Sequence, residues 1–100
     1  MNIKLLDKGF CISIETGIKD ILWNDVKELH AYKKDLLTYD EICIDIVLPE
    51  SIITITEEIE GWVEFTEKMN KIFPSINKEW YADIMLPAFK TNFTILYKKS

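Results

Sequence analysis

Arginine is absent from this chain of 100 residues: all twelve basic side chains are lysine, and the formal net charge is −5. The planar guanidinium group is preferred for recognising phosphates and base edges, so an acidic chain that lacks it is a poor candidate for binding nucleic acid or anionic membranes. A composition rich in Ile, Lys and Asn is also typical of AT-rich genomes, which explains the missing arginine equally well. We therefore predict neither a nucleic-acid nor a membrane partner.

Long apolar runs and cysteines are also scarce. No window approaches the roughly 18 uninterrupted apolar residues that a membrane span needs. The N-terminal stretch carries Lys4, Asp7 and Lys8 where a signal peptide would be apolar. These features predict a cytoplasmic protein. In that compartment we expect the only two cysteines, Cys11 and Cys43, to be free buried thiols and not a disulfide.

Glycine and proline occur three times each and are spread along the chain, with no linker, repeat or low-complexity segment. The length is the common size of one domain, and 48% of the residues are apolar, enough for a core without disulfide or metal staples. We predict that residues 1–100 form a single domain.

Motifs for catalysis and metal binding are missing as well. The sequence has no Cys-x-x-Cys, no His-x-x-x-His, no calcium-loop spacing, no glycine-rich phosphate loop and no Gly-x-Ser-x-Gly. His30 is the only histidine, and its pairing with Cys11 or Cys43 in a small enzyme remains a third hypothesis without a local motif. The sequence therefore predicts no enzyme, no catalytic residue, no metal and no cofactor.

Two periodicities are present, and the first is the alternation of apolar and polar residues that is typical of strands. Segments with this pattern span residues 10–15, 18–23, 26–34, 41–48, 52–56 and 93–97. The pattern of residues 26–34 is mixed, and a helix is the alternative there. Thr16-Gly17 predicts a tight turn between the first two segments.

Apolar residues then recur at helical spacing over residues 57–73, which predicts a long amphipathic helix. Thr56 would cap its start and Pro74 would end it. Residues 78–86 predict a short second helix. The fold class is α+β: an antiparallel sheet of five to six strands packed against one long amphipathic helix.

Carboxylates cluster around the predicted start of the long helix, with no lysine among residues 57–67. A solvated helix face is one interpretation, and an acidic patch that steers a basic partner is the other. Tyr39 and Tyr81 are flanked by polar residues and are candidate interface anchors. The predicted partner-binding residues are thus Glu57, Glu58, Glu60, Glu64, Glu67, Tyr39 and Tyr81.

The run of residues 21–29, in which Trp23 is followed by a polar pair and Val26, resembles a pattern of bacterial pleckstrin-homology-like domains. The hairpin and helix of residues 42–73 follow in the order that this family implies. Residues 56–62, followed by Phe65 and Phe73-Pro74, also resemble small uncharacterised bacterial proteins, some of them similar to immunity proteins of polymorphic toxin systems. The resemblance implies an incomplete PH-like fold. Phosphoinositide binding is not implied, because residues 15–19 contain a single lysine.

The leading hypothesis is a non-enzymatic protein-binding module, in its narrower form an immunity-type inhibitor whose acidic surface covers the basic active site of a toxin domain. The alternative is a scaffold domain that binds a small ligand or a peptide. Homo-oligomerisation through an uncovered sheet edge is compatible with both.

Overall fold

The protein, represented by a computed structural model that describes residues 1–35, 39–86 and 92–99, contains two antiparallel sheets and two α-helices in that part of the chain. The first sheet has the strand order β1-β2-β3 and the second has the order β6-β5-β4-β7. A 3-10 helix, Trp23–Asp25, connects them. The elements are β1 (Asn2–Leu5), β2 (Gly9–Ile14), β3 (Gly17–Leu22), β4 (Glu28–Asp35), β5 (Asp40–Val47), β6 (Ile52–Thr56), α1 (Trp62–Ile72), α2 (Trp80–Met85) and β7 (Asn92–Lys98).

The predicted α+β class is confirmed, whereas the prediction of one sheet of five to six strands with one long helix is wrong. The six predicted strands all form, and the segment predicted at residues 26–34 is a strand and not a helix, with β4 at Glu28–Asp35. The prediction missed β1, whose short segment shows little alternation, and it missed the division into two sheets. That division occurs where the backbone turns at Trp23–Asp25, so that β3 and β4 belong to different sheets.

The long helix begins later than its sequence pattern predicts, at Trp62 and not at Glu57. Glu60 is held in extended backbone by β1: the N–H of Ile3 donates to its carbonyl oxygen over 2.9 Å, and Asn2 pairs with it as a parallel bridge. Gly61 follows with a φ of 95°, a left-handed conformation that side chains other than glycine rarely adopt. A Cβ at Gly61 would also collide with the Ile3 carbonyl. These contacts prevent the helix from extending back to Thr56.

One hydrophobic core lies between the sheets and the helices. At its centre the Phe10 ring lies 4.7 Å from the Trp23 ring and 5.0 Å from the Phe65 ring, measured between centroids. The second sheet contributes its inner face, including the fully buried Ile44 and Ile46 of β5. Each such side chain stabilises the fold by roughly 1.5–3 kcal/mol through burial of apolar surface.

A lysine completes the inner face of the second sheet. Lys33 of β4 is only 1% exposed, and its Nζ donates to the carbonyl of Met85, the last residue of α2, over 2.9 Å. Nζ also lies 3.7 Å from Oδ2 of Asp40. The ammonium group thus satisfies a helix-terminal carbonyl and ties α2 to the sheet, since cations are favourable at a helix C-terminus.

Two further sequence predictions concern the thiols and the membrane. Cys11 and Cys43 are both free, as predicted, with Cys43 buried and Cys11 half-buried. Neither helix in the described part of the chain has the length and apolar character that crossing a membrane requires.

Candidate functional site

Glu57 lies between β6 and α1, where it extends the pairing with β5. Its backbone N–H donates to the Ile42 carbonyl over 3.0 Å, and its Oε1 accepts from the Ile42 N–H over 3.1 Å. Its other carboxylate oxygen accepts a hydrogen bond from the Tyr81 hydroxyl over 2.6 Å. Glu57 is therefore engaged inside the fold and belongs to no free acidic patch.

Tyr81 is consequently a structural link between α2 and the segment before α1. The hydrogen bond to Glu57, followed by burial, raises the pKa of its hydroxyl to about 12. The structure brings these two predicted site residues together, but they bind each other.

Four other predicted carboxylates remain exposed; we call this set, Glu58, Glu60, Glu64 and Glu67, the acidic face. None of the four lies within 4.0 Å of a lysine nitrogen in the described ranges. Glu64 and Glu67 lie one turn apart on α1, and Glu60 and Glu64 line one groove together with Lys4. Lys68 and Lys71 follow at helical spacing, so the negative field is strongest toward the start of α1.

Helix α1, which contains Glu64 and Glu67 of the acidic face, is held in place by the buried side chains on its opposite side. Trp62, Phe65 and Met69 are buried in the core at helical spacing. Val63 lies on the outward side next to Glu64 in sequence, and it is 59% exposed. Glu64 and Glu67 of the acidic face therefore share α1 with an exposed apolar side chain.

Tyr39 is 52% exposed and directly precedes β5. It lies at the same end of the second sheet as Glu57, because β5 begins at Asp40 and Ile42 pairs with Glu57. In the part of the chain that the structure describes, no hydrogen bond or ion pair joins Tyr39 to the acidic face. The predicted site residues therefore form one set at a sheet end and a second set on α1 and the segment that precedes it.

The arrangement of His30 and the cysteines does not favour thiolate chemistry. His30 and Cys43 lie on the same outer face of neighbouring strands, but Nε2 of His30 lies 2.8 Å from Oε1 of Glu28. Burial raises the pKa of the Cys43 thiol, and burial together with the Asp20 carboxylate raises that of Cys11. A nucleophilic cysteine needs the opposite shift. Among the residues that the structure describes, no three His, Cys, Asp or Glu side chains are grouped as a metal site.

The outer face of the second sheet was not among the predicted sites. At its centre the Tyr32 hydroxyl, over 3.1 Å, and the Thr54 hydroxyl, over 2.6 Å, both donate to Oδ1 of Asp45. Burial and then the Asp45 contact raise the pKa of Tyr32 to about 12. Phe93 and Ile95 of β7 extend this face and are more than half exposed. The alternation of side chains along β4 and β5 is the sequence signal that places Tyr32 and Asp45 on one face.

A second unpredicted feature is a cleft of about 640 Å³ at the end of α1, which we call the aromatic cleft. Its lining includes Trp23, Phe73, Pro74, Tyr97, Lys8 and Lys99. The Phe73 and Tyr97 rings stack with centroids 4.0 Å apart, and the Trp23 ring lies 5.9 Å from that of Phe73. The aromatic residues each belong to a separate strand, turn or helix end, so no local sequence pattern marks them as neighbours.

No protein-family model matches the chain, and neither a curated protein nor a solved structure is significantly similar to it.

Function must therefore be inferred from the surfaces themselves. The acidic face is exposed and has no close ion pair with the residues that the structure describes, the outer sheet face is partly apolar, and the aromatic cleft is concave. The PH-like and immunity-type assignments remain predictions from the motifs.

Proposed function

We propose that the protein is a non-enzymatic protein-binding module that presents the acidic face to a basic partner. The observation that carries this proposal is a set of four exposed carboxylates, none of which has an ion pair within the described ranges, close in sequence to the exposed Val63. Exposed carboxylates steer a positively charged partner during diffusional encounter, and a neighbouring apolar contact favours retention once the complex has formed.

The anchoring of α1 supports the same function. Because Trp62, Phe65 and Met69 hold the helix against the core, the backbone that carries Glu64 and Glu67 is already in place when a partner binds. Preorganisation of this kind lowers the entropic cost of association. In its narrower form, the proposal is that the protein is an immunity-type inhibitor, which covers the basic active site of a bacterial toxin domain.

The first experiment is an affinity pulldown from the native host, with the tagged protein as bait at low and moderate salt. We expect one basic protein to be recovered at low salt and lost as the salt concentration rises, because screening weakens exposed charge interactions. For the narrower form, that protein should be toxic when expressed alone and harmless when expressed with the bait.

The second experiment measures association kinetics with the recovered protein. The variant E60K/E64K/E67K should slow association by about tenfold at low salt and flatten its salt dependence. The control, E15K/D25K/E50K, has the same net charge and reverses exposed residues elsewhere. Glu57 is left intact, because its carboxylate bonds Ile42 and Tyr81. Equal association rates for the two variants would remove the acidic face from the model.

The alternative function, a domain that binds a small ligand, is supported by one specific observation. The aromatic cleft has a volume within the roughly 300–1,000 Å³ that is usual for small-molecule sites. It lies beyond the last turn of α1, whereas the acidic face begins ahead of the first turn, so the two functions are separable.

A further inference from the structure

We propose that the aromatic cleft binds a planar aromatic anion, such as an aromatic carboxylate. This inference is independent of the protein-binding function, since the cleft shares no residue with the acidic face.

The walls of the cleft favour a flat, apolar ligand body. Trp23, Phe73 and Tyr97 contribute three aromatic rings, and Pro74 and Ile72 add aliphatic surface. Aromatic rings interact best with other rings in offset-stacked or edge-to-face geometry, which a planar ligand can adopt against this lining. The volume of about 640 Å³ accommodates a bicyclic ring system with its solvent.

The charges at the rim favour an anion. The lining includes the cations Lys8 and Lys99 and a single carboxylate, Asp7. Lys71, in the last turn of α1, offsets the partial negative charge of the helix end. This end of the molecule is thus locally positive although the chain as a whole is acidic.

Both rim lysines are anchored to the floor of the cleft. The backbone N–H of Trp23 donates to the backbone carbonyl of Lys8 over 3.1 Å. Nζ of Lys99 donates to the backbone carbonyl of Asn24 over 2.7 Å. The Lys99 N–H also donates to the Lys27 carbonyl over 2.8 Å. The ammonium group of Lys99 and the backbone of Lys8 are therefore held in place before a ligand arrives, which lowers the cost of binding.

One buried donor in the cleft lining remains unsatisfied. Trp23 is 4% exposed, and its indole Nε1 has no hydrogen-bond partner among the described residues. Buried donors in folded proteins are nearly always paired, and an unpaired one calls for an explanation. Because Trp23 lines the cleft, its indole N–H signal can report on a ligand that packs there.

The test is an NMR titration of the full chain labelled with ¹⁵N, using 2-naphthoate as the probe and following the assigned indole N–H signal of Trp23. We expect a saturable shift of this signal. The cation 2-naphthylmethylammonium, of similar size, should bind about tenfold more weakly, because Lys8 and Lys99 repel it and only Asp7 attracts it.

Variants locate the site. K8Q and K99Q should each weaken 2-naphthoate binding about threefold or more, whereas K34Q, at the far end of β4, should leave it unchanged. The acidic-face variant E60K/E64K/E67K should bind 2-naphthoate like the unmodified protein, which separates this proposal from the protein-binding function. Equal affinity for the anion and the cation, an unmoved Trp23 signal, or indifference to both lysine substitutions would overturn the proposal.

Discussion

The two faces of the second sheet are made by alternate residues of the same strands, yet they differ in almost every physical respect. On the inner face, Ile44 and Ile46 are fully buried, and the buried ammonium group of Lys33 has a carbonyl and a carboxylate as its neighbours. On the outer face, Asp45 accepts from two hydroxyls while Ile95 of β7 is 53% exposed. Stability is thus concentrated on one face, and the other is free to differ in sequence or to meet a partner.

Lys33 and its neighbour Lys34 test this comparison most severely, because they lie on opposite faces of β4. We expect Lys33→Ala to lower the free energy of unfolding by about 3–5 kcal/mol, since it leaves a buried carboxylate and the Met85 carbonyl without their cation. Lys34→Ala, at an exposed position, should change it by less than about 0.5 kcal/mol. Urea unfolding followed by circular dichroism measures both. Similar losses for the two variants would contradict the distinction between the faces.

A pair of isoleucines sharpens the same comparison without involving charge. Ile44→Ala removes a fully buried side chain and should cost about 2–5 kcal/mol through lost burial and the cavity that remains. Ile95→Ala, on the outer face, should cost less than about 1 kcal/mol. The difference in urea midpoint between the two variants is the measurement. A large loss at Ile95 would mean that the outer face carries stability that its exposure does not indicate.

The polar network of the outer face should have a smaller effect. Tyr32→Phe removes the hydroxyl that donates to Asp45 and should cost about 1 kcal/mol, with Asp45 still accepting from Thr54. Tyr39→Phe is the control, because the Tyr39 hydroxyl makes no hydrogen bond within the described ranges. Thermal unfolding of the two variants compares them directly, and an equal change in Tm would argue against a stabilising Tyr32–Asp45 contact.

Alkaline pH tests the tyrosines of both the outer face and the α2 link. The pKa values of Tyr32 and Tyr81 are raised to about 12, chiefly by burial for Tyr32 and by the Glu57 carboxylate for Tyr81. Between the usual tyrosine pKa of about 10 and pH 12, the folded state therefore binds more protons than the unfolded state, and stability falls as pH rises. Urea unfolding from pH 9 to 11 should show a shallower decline for Tyr81→Phe than for the unmodified protein. An identical pH dependence would refute the Glu57–Tyr81 contact.

Much of the fold follows from local pattern, and the reasons for the exceptions are specific. Residues 52–56 form β6 within the predicted limits, because alternation and the preceding turn act locally. The predicted start of α1 was wrong because the true start depends on β1, a strand distant in sequence that pairs with Glu60. Helical periodicity in residues 57–61 contains no information about that distant partner.

The candidate site shows the same division between features that local pattern predicts and features that distant contacts determine. The exposure of Glu64 and Glu67 was predictable, since they alternate with buried Phe65 and Met69 on one helix. The hydrogen bonds that Ile42 and Tyr81 donate to the Glu57 carboxylate were not predictable, because they depend on how α2 packs against the sheet. Tertiary contacts thus decide which of the predicted carboxylates are available to a partner.

The bridge between Asn2 and Glu60 has a consequence for the order in which the chain folds. The two residues are separated by more than half the chain, so β1 cannot complete its pairing until the polypeptide has been synthesised past Gly61. During translation, the hairpin of β1 and β2 would emerge from the ribosome with the outer edge of β1 unpaired. That edge would stay unpaired until the segment before α1 has been synthesised. Completion of the β1 pairing is therefore coupled to the appearance of α1, and until then this strand edge is open to chaperones and proteases.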